Sequence, residues 1–162
     1  MDARKSDQDL WTAVVAAERR AADVRADFYR NAESRRDVLA AALQGSNWER
    51  GAALSFLEVL PEDVPVLLDQ LIDNAVSPGW ALAARRVIAS GQTDVVISAV
   101  RQIVDARLRT ADADDYRRLA ELFRHLNDRP ALHRLVGQAE MSDDQDIREV
   151  GEDFLLWLSE SL

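Results

Sequence analysis

Cysteine is absent from this chain, and lysine, glycine and proline are scarce. Without cysteine the 162 residues can form no disulfide framework, no thiolate nucleophile and no zinc site with sulfur ligands. Lys5 is the one lysine among 20 basic residues, so arginine supplies the rest. Six glycines and four prolines, beside abundant alanine and leucine, favour helices over strands.

Long apolar runs are also missing. The stretch from Val38 to Leu43 is among the longest, and it is far too short to span a bilayer. The residues from Met1 to Asp7 lack the apolar core of a signal peptide. We therefore expect a soluble, cytoplasmic protein with no membrane partner.

The net charge of −9 is unevenly distributed along the chain. Residues 1–40 hold eight acids and eight bases, whereas the remaining residues hold 21 acids and 12 bases. No basic residue occurs between Arg50 and Arg85, and Arg148 is the only basic residue after Glu140. Such a surface repels phosphate backbones and attracts basic partners.

The first segment has the periodicity of one long amphipathic helix. Ser6 and Asp9 can cap its start, and the stripe weakens between Asn31 and Ser34, where we expect a bend or break. Gly45 is a good helix stop. Residues 1–45 are therefore predicted to form a helical segment that packs on the rest of the chain or serves as a degenerate first repeat. Its apolar residues recur at three- and four-residue steps: Leu10, Val14, Ala17, Ala21, Val24 and Phe28.

A repeat emerges after Gly45. Its units begin with a bulky anchor, at offsets of 32, 36 and 31 residues, and a small residue follows each anchor four positions later. A small side chain one turn beyond a bulky one lets a neighbouring helix approach closely. The anchors are Trp48, Trp80, Tyr116 and Ile147, and the small residues are Ala52, Ala84, Ala120 and Gly151.

A second helix is predicted in three of the four units, opening near Pro61, Gly91 and Asp128. The last unit, from Ile147 to Leu162, has only its first helix, as the terminal cap of a stacked array does. The apolar sides of the second helices are formed by Val64, Leu67, Leu68, Leu71 and Ile72, then Val96, Val100, Ile103 and Val104, then Leu132, Leu135 and Val136.

The stretch from Asp144 to Leu155 resembles the first helix of a HEAT repeat. An acidic turn precedes the aliphatic Ile147, Arg148 follows it, and Gly151 lies four positions on; Tyr116, Arg117 and Ala120 repeat the pattern. The resemblance covers roughly residues 47–158. It implies an all-α fold, an α-α superhelix of stacked helical hairpins over residues 46–162, with a capping helix and a single compact domain overall. It also implies that the second helices line a concave face and that the protein binds rather than catalyses.

This fold leads to a functional prediction. We expect a non-enzymatic scaffold that binds a protein with a basic surface, and an immunity or inhibitor protein that blocks a basic toxin is one concrete form. The candidate partner-binding residues are the charged residues of the second helices, together with two residues of the last helix: Asp69, Asp73, Arg101, Asp105, Arg134, Asp153 and Trp157.

Three alternatives belong to other classes. A nucleic-acid-binding protein needs a continuous basic groove; the arginines between Arg19 and Arg36 are interleaved with acids, so nucleic acid is an unlikely partner. A small enzyme with an acidic site would use Asp69 and Asp73, which share a helix face. Self-assembly would use the uncovered ends of the array.

Metal and cofactor sites are not predicted. His125 and His133 flank one turn, but no third ligand is evident, so we expect a helix-end residue and a surface residue. The acidic turns at Asp112 and Asp144 lack the glycine and glutamate of a calcium loop. We expect these acids to cap the helices that follow them.

Overall fold

The computed structural model describes residues 5–160, and every regular element across that range is a helix. The predicted all-α class is therefore confirmed. Within the same range, no helix combines the length and the apolar character needed to cross a membrane. The elements are α1 (Asp7–Asn31), α2 (Arg35–Leu43), α3 (Asn47–Val59), a 3-10 helix (Pro61–Val66), α4 (Leu68–Val76), α5 (Ala81–Ser90), α6 (Asp94–Arg107), α7 (Ala113–His125), α8 (Arg129–Glu140) and α9 (Gln145–Glu160).

Side-chain caps fix where several helices start. The Ser6 hydroxyl accepts a hydrogen bond from the Asp9 N–H at 3.2 Å, and the Asp9 carboxylate accepts one from the Ser6 N–H at 3.0 Å. This reciprocal box is the predicted start of α1. Ser46 and Glu49 form the same box at α3. The hydrogen bonds from the Ser46 side chain and backbone lower the pKa of Glu49.

The predicted break after α1 is confirmed. Helix α1 ends at Asn31, and Ala32 takes an extended backbone with φ −74° and ψ 118°. Helix α2 then starts at Arg35. The Arg35 guanidinium donates to the Tyr29 carbonyl at 2.7 Å and lies 4.6 Å from the centre of the Tyr29 ring. This contact holds the bend together.

The second helix predicted from Pro61 is interrupted. Pro61–Val66 forms a 3-10 helix, Leu67 leaves helical geometry with φ −111° and ψ 10°, and α4 begins only at Leu68. Pro65 explains the difference, because a proline within the segment lacks the N–H that an α-helical turn needs. The predicted apolar side of this segment is nevertheless buried from Val64 to Ile72.

The chain divides into two compact units, the first ending at Leu39 and the second beginning at Ala40. In the second unit, α3 packs on α5, α5 on α7 and α7 on α9. Helix α8 packs on α7 and α9, and α4 packs on α5 and α7. The largest fully buried side chains of this unit include Leu57, Leu71, Ile72, Ile88, Leu119, Leu122, Phe123, Leu132 and Leu135.

Three of the four predicted small residues are buried, and the first is not. Ala84, Ala120 and Gly151 are buried, but Trp48 is 90% exposed and Ala52 is exposed. In α3 the small buried residue is Ala53, which follows Glu49 by one turn. The Ser46–Glu49 box places Trp48 in the first turn, on the side facing solvent, so this unit has no bulky anchor.

The small residue of the last repeat marks a close helix contact. A Cβ added to Gly151 of α9 would lie 3.1 Å from the Ala139 Cβ of α8. At that distance the neighbouring atoms would have to shift. The backbones of α8 and α9 can therefore approach this closely because position 151 carries no side chain. This is the contact that the spacing predicted.

Candidate functional site

The predicted site residues fall into three groups in the second unit. The first group is on α4, where Asp69 and Asp73 share Arg107 of α6. The Arg107 guanidinium lies 2.6 Å from the Asp73 carboxylate and 3.6 Å from that of Asp69, and it donates to the Asp69 carbonyl at 3.0 Å. Both aspartates remain exposed. The sequence placed them on one helix face but did not indicate their arginine.

The second group surrounds Asp128, the buried cap of α8. Arg101 of α6 donates two hydrogen bonds of 2.7 Å to its carboxylate, which also accepts from the Ala131 N–H at 3.2 Å. Burial by itself would raise the pKa of Asp128, but these hydrogen bonds and the charge of Arg101 outweigh burial and lower it. The same pairing raises the pKa of Arg101. Arg101 therefore joins α6 to α8, and its predicted role in partner binding stays a prediction.

Arg134 and Asp105 are the exposed predicted site residues near the Arg101–Asp128 pair. Arg134 lies on α8, and its positive charge contributes to the lowered pKa of Asp128. Asp105 lies one turn beyond Arg101 on the solvent side of α6. Both residues are exposed, and their predicted role in partner binding stays a prediction.

The third group belongs to α9. Asp153 lies 2.9 Å from the Arg117 guanidinium of α7. Trp157 is half-buried, with the guanidinium of Arg124 5.0 Å and that of Arg129 6.0 Å from its ring centre. A tryptophan with cations this near gains cation–π stabilisation. These contacts attach α9 to its neighbours, and the partner roles predicted for Asp153 and Trp157 remain predictions.

Arginine bridges recur between the repeats. Arg85 of α5 lies 2.8 Å from Glu121 of α7, and Arg117 of α7 lies 2.9 Å from Asp153 of α9. Each bridge spans 36 residues, about one repeat, and each joins successive first helices. The sequence did not predict these bridges. A search for arginine and carboxylate one repeat apart would have found them.

A shallow, open surface on α6, which we call the groove along α6, was not predicted from the sequence. It has a volume of about 420 Å³ and is lined by Asp94, Val95, Ser98, Ala99 and Gln102. Its floor carries short side chains, and Val95 is 73% exposed. Asp94 lies at one end, and Asp105 continues the same helix face beyond Gln102 at three- and four-residue steps.

A smaller cleft of about 180 Å³ lies beside Arg107 and Asp115. It is below the range of roughly 300–1,000 Å³ that small-molecule pockets occupy. The groove along α6 has a larger volume than this cleft, but it is open along its length, and all of its lining residues belong to one helix. Its shape suits an extended or helical segment of a macromolecule better than an enclosed ligand.

Most of the residues considered as metal ligands lie at or next to helix ends. His125 ends α7 at an exposed position, where partial desolvation and the charges of Arg85 and Arg86 lower its pKa, and His133 is also exposed, on α8. Asp112 caps α7 by accepting from the Asp115 N–H at 2.9 Å, as expected. Asp144 accepts from the Asp146 N–H at 2.8 Å in the turn before α9. Over residues 5–160, no cluster of three histidine, aspartate or glutamate side chains could hold a metal ion.

Comparison with known proteins adds no relative. No protein-family model, no curated protein sequence and no solved structure matches this chain. The resemblance to HEAT repeats therefore remains a prediction that rests on the residues quoted above.

Proposed function

We propose that this chain is a non-enzymatic binding scaffold, an α-α superhelix of HEAT type that holds a protein partner with a basic surface. Two features support the scaffold. The small residues at Ala84, Ala120 and Gly151 are buried where a stacked repeat needs them. The arginine bridges from Arg85 and Arg117 join successive first helices, as nearest-neighbour coupling in an array requires.

The groove along α6 is the observation that carries the binding proposal. It runs along the exposed face of a second helix, its short side chains admit a partner segment, and Val95 offers apolar contact. Asp94 and Asp105 stand toward its two ends. A partner segment with an apolar middle and arginine or lysine near both ends complements this surface.

The charge of the second unit supports a basic partner. The 21 acids and 12 bases that follow residue 40 give that part of the chain the whole net charge of −9. An acidic surface speeds the encounter with a basic protein and opposes the approach of a phosphate backbone. An inhibitor that blocks a basic toxin in the cytoplasm is the concrete form that suits a scaffold of this size.

Asp69 and Asp73, the carboxylates that an enzyme would use, both form ion pairs with Arg107. Asp69 and Asp73 share Arg107 on an open surface, where water surrounds both carboxylates. General acid–base catalysis near neutral pH is most efficient with a carboxyl group whose pKa is raised toward the working pH, commonly by burial beside the substrate. This arrangement favours binding over catalysis.

The proposal is tested by capturing partners from the native cell extract at low salt. Ser98→Arg places a bulky cation on the groove floor, and Ser55→Arg places the same side chain on the exposed face of α3 as the matched control. We expect the wild-type chain and S55R to retain the same basic protein and S98R to lose it. Retention by S98R, or capture of nucleic acid in place of protein, would contradict the proposal.

A further inference from the structure

We propose that α1 pairs antiparallel with α1 of a second copy of this chain, so that the protein forms a dimer through its first unit. This surface is separate from the groove along α6. None of the 25 residues of α1 is buried. Leu10, Trp11, Val14 and Val24 are each between 49% and 60% exposed. Amphipathic helices in proteins gain most of their stability by packing the apolar face.

The apolar stripe of α1, from Leu10 to Phe28, has the spacing of a helix that pairs in a coiled coil. Its apolar residues follow steps of four, three, four, three and four residues from position 10 to position 28. This is the heptad spacing of the a and d positions, which keeps one seam facing a second helix. The stripe spans 18 residues, roughly 27 Å of helix.

The positions of any stripe with this spacing are symmetric about its centre, and here the residue types also match in two of the three pairs, which suits a second copy of the same chain. Its members pair symmetrically about Arg19: Leu10 with Phe28, Val14 with Val24, and Ala17 with Ala21. A two-fold interface needs this arrangement, because residue i must meet residue j while j meets i. The two alanines lie at the centre, where they let the backbones approach closely.

The charges of α1 determine the direction of pairing. Residues 7–18 hold three acids and no base, whereas residues 19–31 hold four arginines and two aspartates. Antiparallel pairing brings the acidic half of one helix against the basic half of the other, whereas parallel pairing brings like charges together. It also brings the exposed Trp11 beside Arg25 of the second copy, a cation–π pair. Arg20 lies beside the axis and meets its own copy, so neutralising it should tighten the dimer.

Disulfide trapping in the full-length chain tests the inference, because the natural sequence has no cysteine. Two single variants, Val14→Cys and Val24→Cys, are mixed under mild oxidation, with an affinity tag on one. Antiparallel pairing places Val14 opposite Val24, while the two copies of Val14 lie about 15 Å apart along the axis, beyond disulfide reach. We expect mixed V14C–V24C disulfides and few V14C–V14C disulfides. Predominant V14C–V14C linkage, or no linkage, would overturn the inference.

Sedimentation equilibrium over a range of concentrations provides the second readout. We expect concentration-dependent dimers for the wild-type chain, tighter dimers for R20Q, and monomers for V14E with unchanged helical circular dichroism. Val59→Glu, at an exposed position of α3, is the control and should leave the dimer intact. A monomer at every concentration would overturn the inference. Loss of partner capture by S98R in a dimeric protein separates this inference from the proposed function.

Discussion

At the scale of single residues, two glycines show how local space determines the effect of a side chain. Gly151 lies against α8, where an added Cβ comes within 3.1 Å of Ala139. Gly137 lies within α8 itself, and an added Cβ there meets nothing within 4 Å. Adding a side chain should therefore have opposite consequences at the two positions.

We expect Gly151→Leu to lower the free energy of unfolding by about 1–3 kcal/mol, because the larger side chain forces α8 and α9 apart. Gly137→Ala should raise it by about 0.5–1 kcal/mol, because alanine replaces glycine within a helix at no steric cost. Urea unfolding followed by circular dichroism measures both changes. If G151L were as stable as the wild type, the close contact between the two helices would be in doubt.

Asp128 combines a helix cap with a charged pair. We expect Asp128→Ala to lower the free energy of unfolding by about 2–3 kcal/mol, since it removes the cap of α8 and both hydrogen bonds from Arg101. Asp105→Ala, at an exposed position one turn beyond Arg101, is the control and should change the free energy by less than about 0.5 kcal/mol. If Asp128→Ala and Asp105→Ala lowered the free energy of unfolding equally, the Arg101–Asp128 pair would contribute nothing to stability.

The pH dependence of Asp128 has a definite sign. Its pKa is lower in the folded chain than in the unfolded chain, so its stabilising effect is present above the unfolded pKa, near 3.9. That effect disappears as the pH falls through the lower, folded pKa. Unfolding of the wild type and of D128N should therefore differ most at neutral pH and converge in acid. A constant difference across this range would show that the charge of Asp128 is not responsible.

At the scale of helices, sequence periodicity predicts burial well in the second unit, whereas the apolar stripe of α1 is not buried. The apolar sides of α4, α6 and α8 were predicted nearly residue by residue, because one face of each helix must leave water. Trp48 was misplaced because the repeat spacing was extended to a residue in the first turn of α3. The arginine bridges involving Arg107 and Arg117 were not predicted from helical periodicity, because periodicity describes the faces of one helix and not the partners that a long side chain reaches on another helix.

The corrected register of α3 gives a direct comparison. We expect Trp48→Ala to change the free energy of unfolding by less than about 0.5 kcal/mol, because the indole is 90% exposed. Phe56→Ala, on the buried face of the same helix, should lower it by about 3–5 kcal/mol. Thermal and urea unfolding distinguish the two. A large loss in W48A would restore Trp48 as a repeat anchor.

At the scale of the whole molecule, the two compact units differ in charge as well as in burial. The acids and bases of residues 1–40 balance, while the rest of the chain carries the net charge of −9. Our two proposals follow this difference. We propose that the first part pairs with a second copy through its apolar stripe and that the second part binds a basic protein.

Removal of α1 tests the independence of these tasks. Because no side chain of α1 is buried, we expect a chain beginning at Ser34 to unfold cooperatively with a midpoint close to that of the full chain. It should be monomeric and should keep the partner that the full chain captures. A truncated chain that has lost its cooperative unfolding would show that the second unit depends on α1.

The salt dependence of partner binding at the groove tests the central claim most directly. Once the partner has been captured, its affinity is measured by calorimetry for the wild type, S98R and S55R at rising salt. We expect wild type and S55R to bind alike and to weaken as salt screens the acidic surface, while S98R binds at least tenfold more weakly, a difference of about 1.4 kcal/mol. Equal affinity for all three chains, unaffected by salt, would contradict the assignment of the groove along α6 as the binding surface.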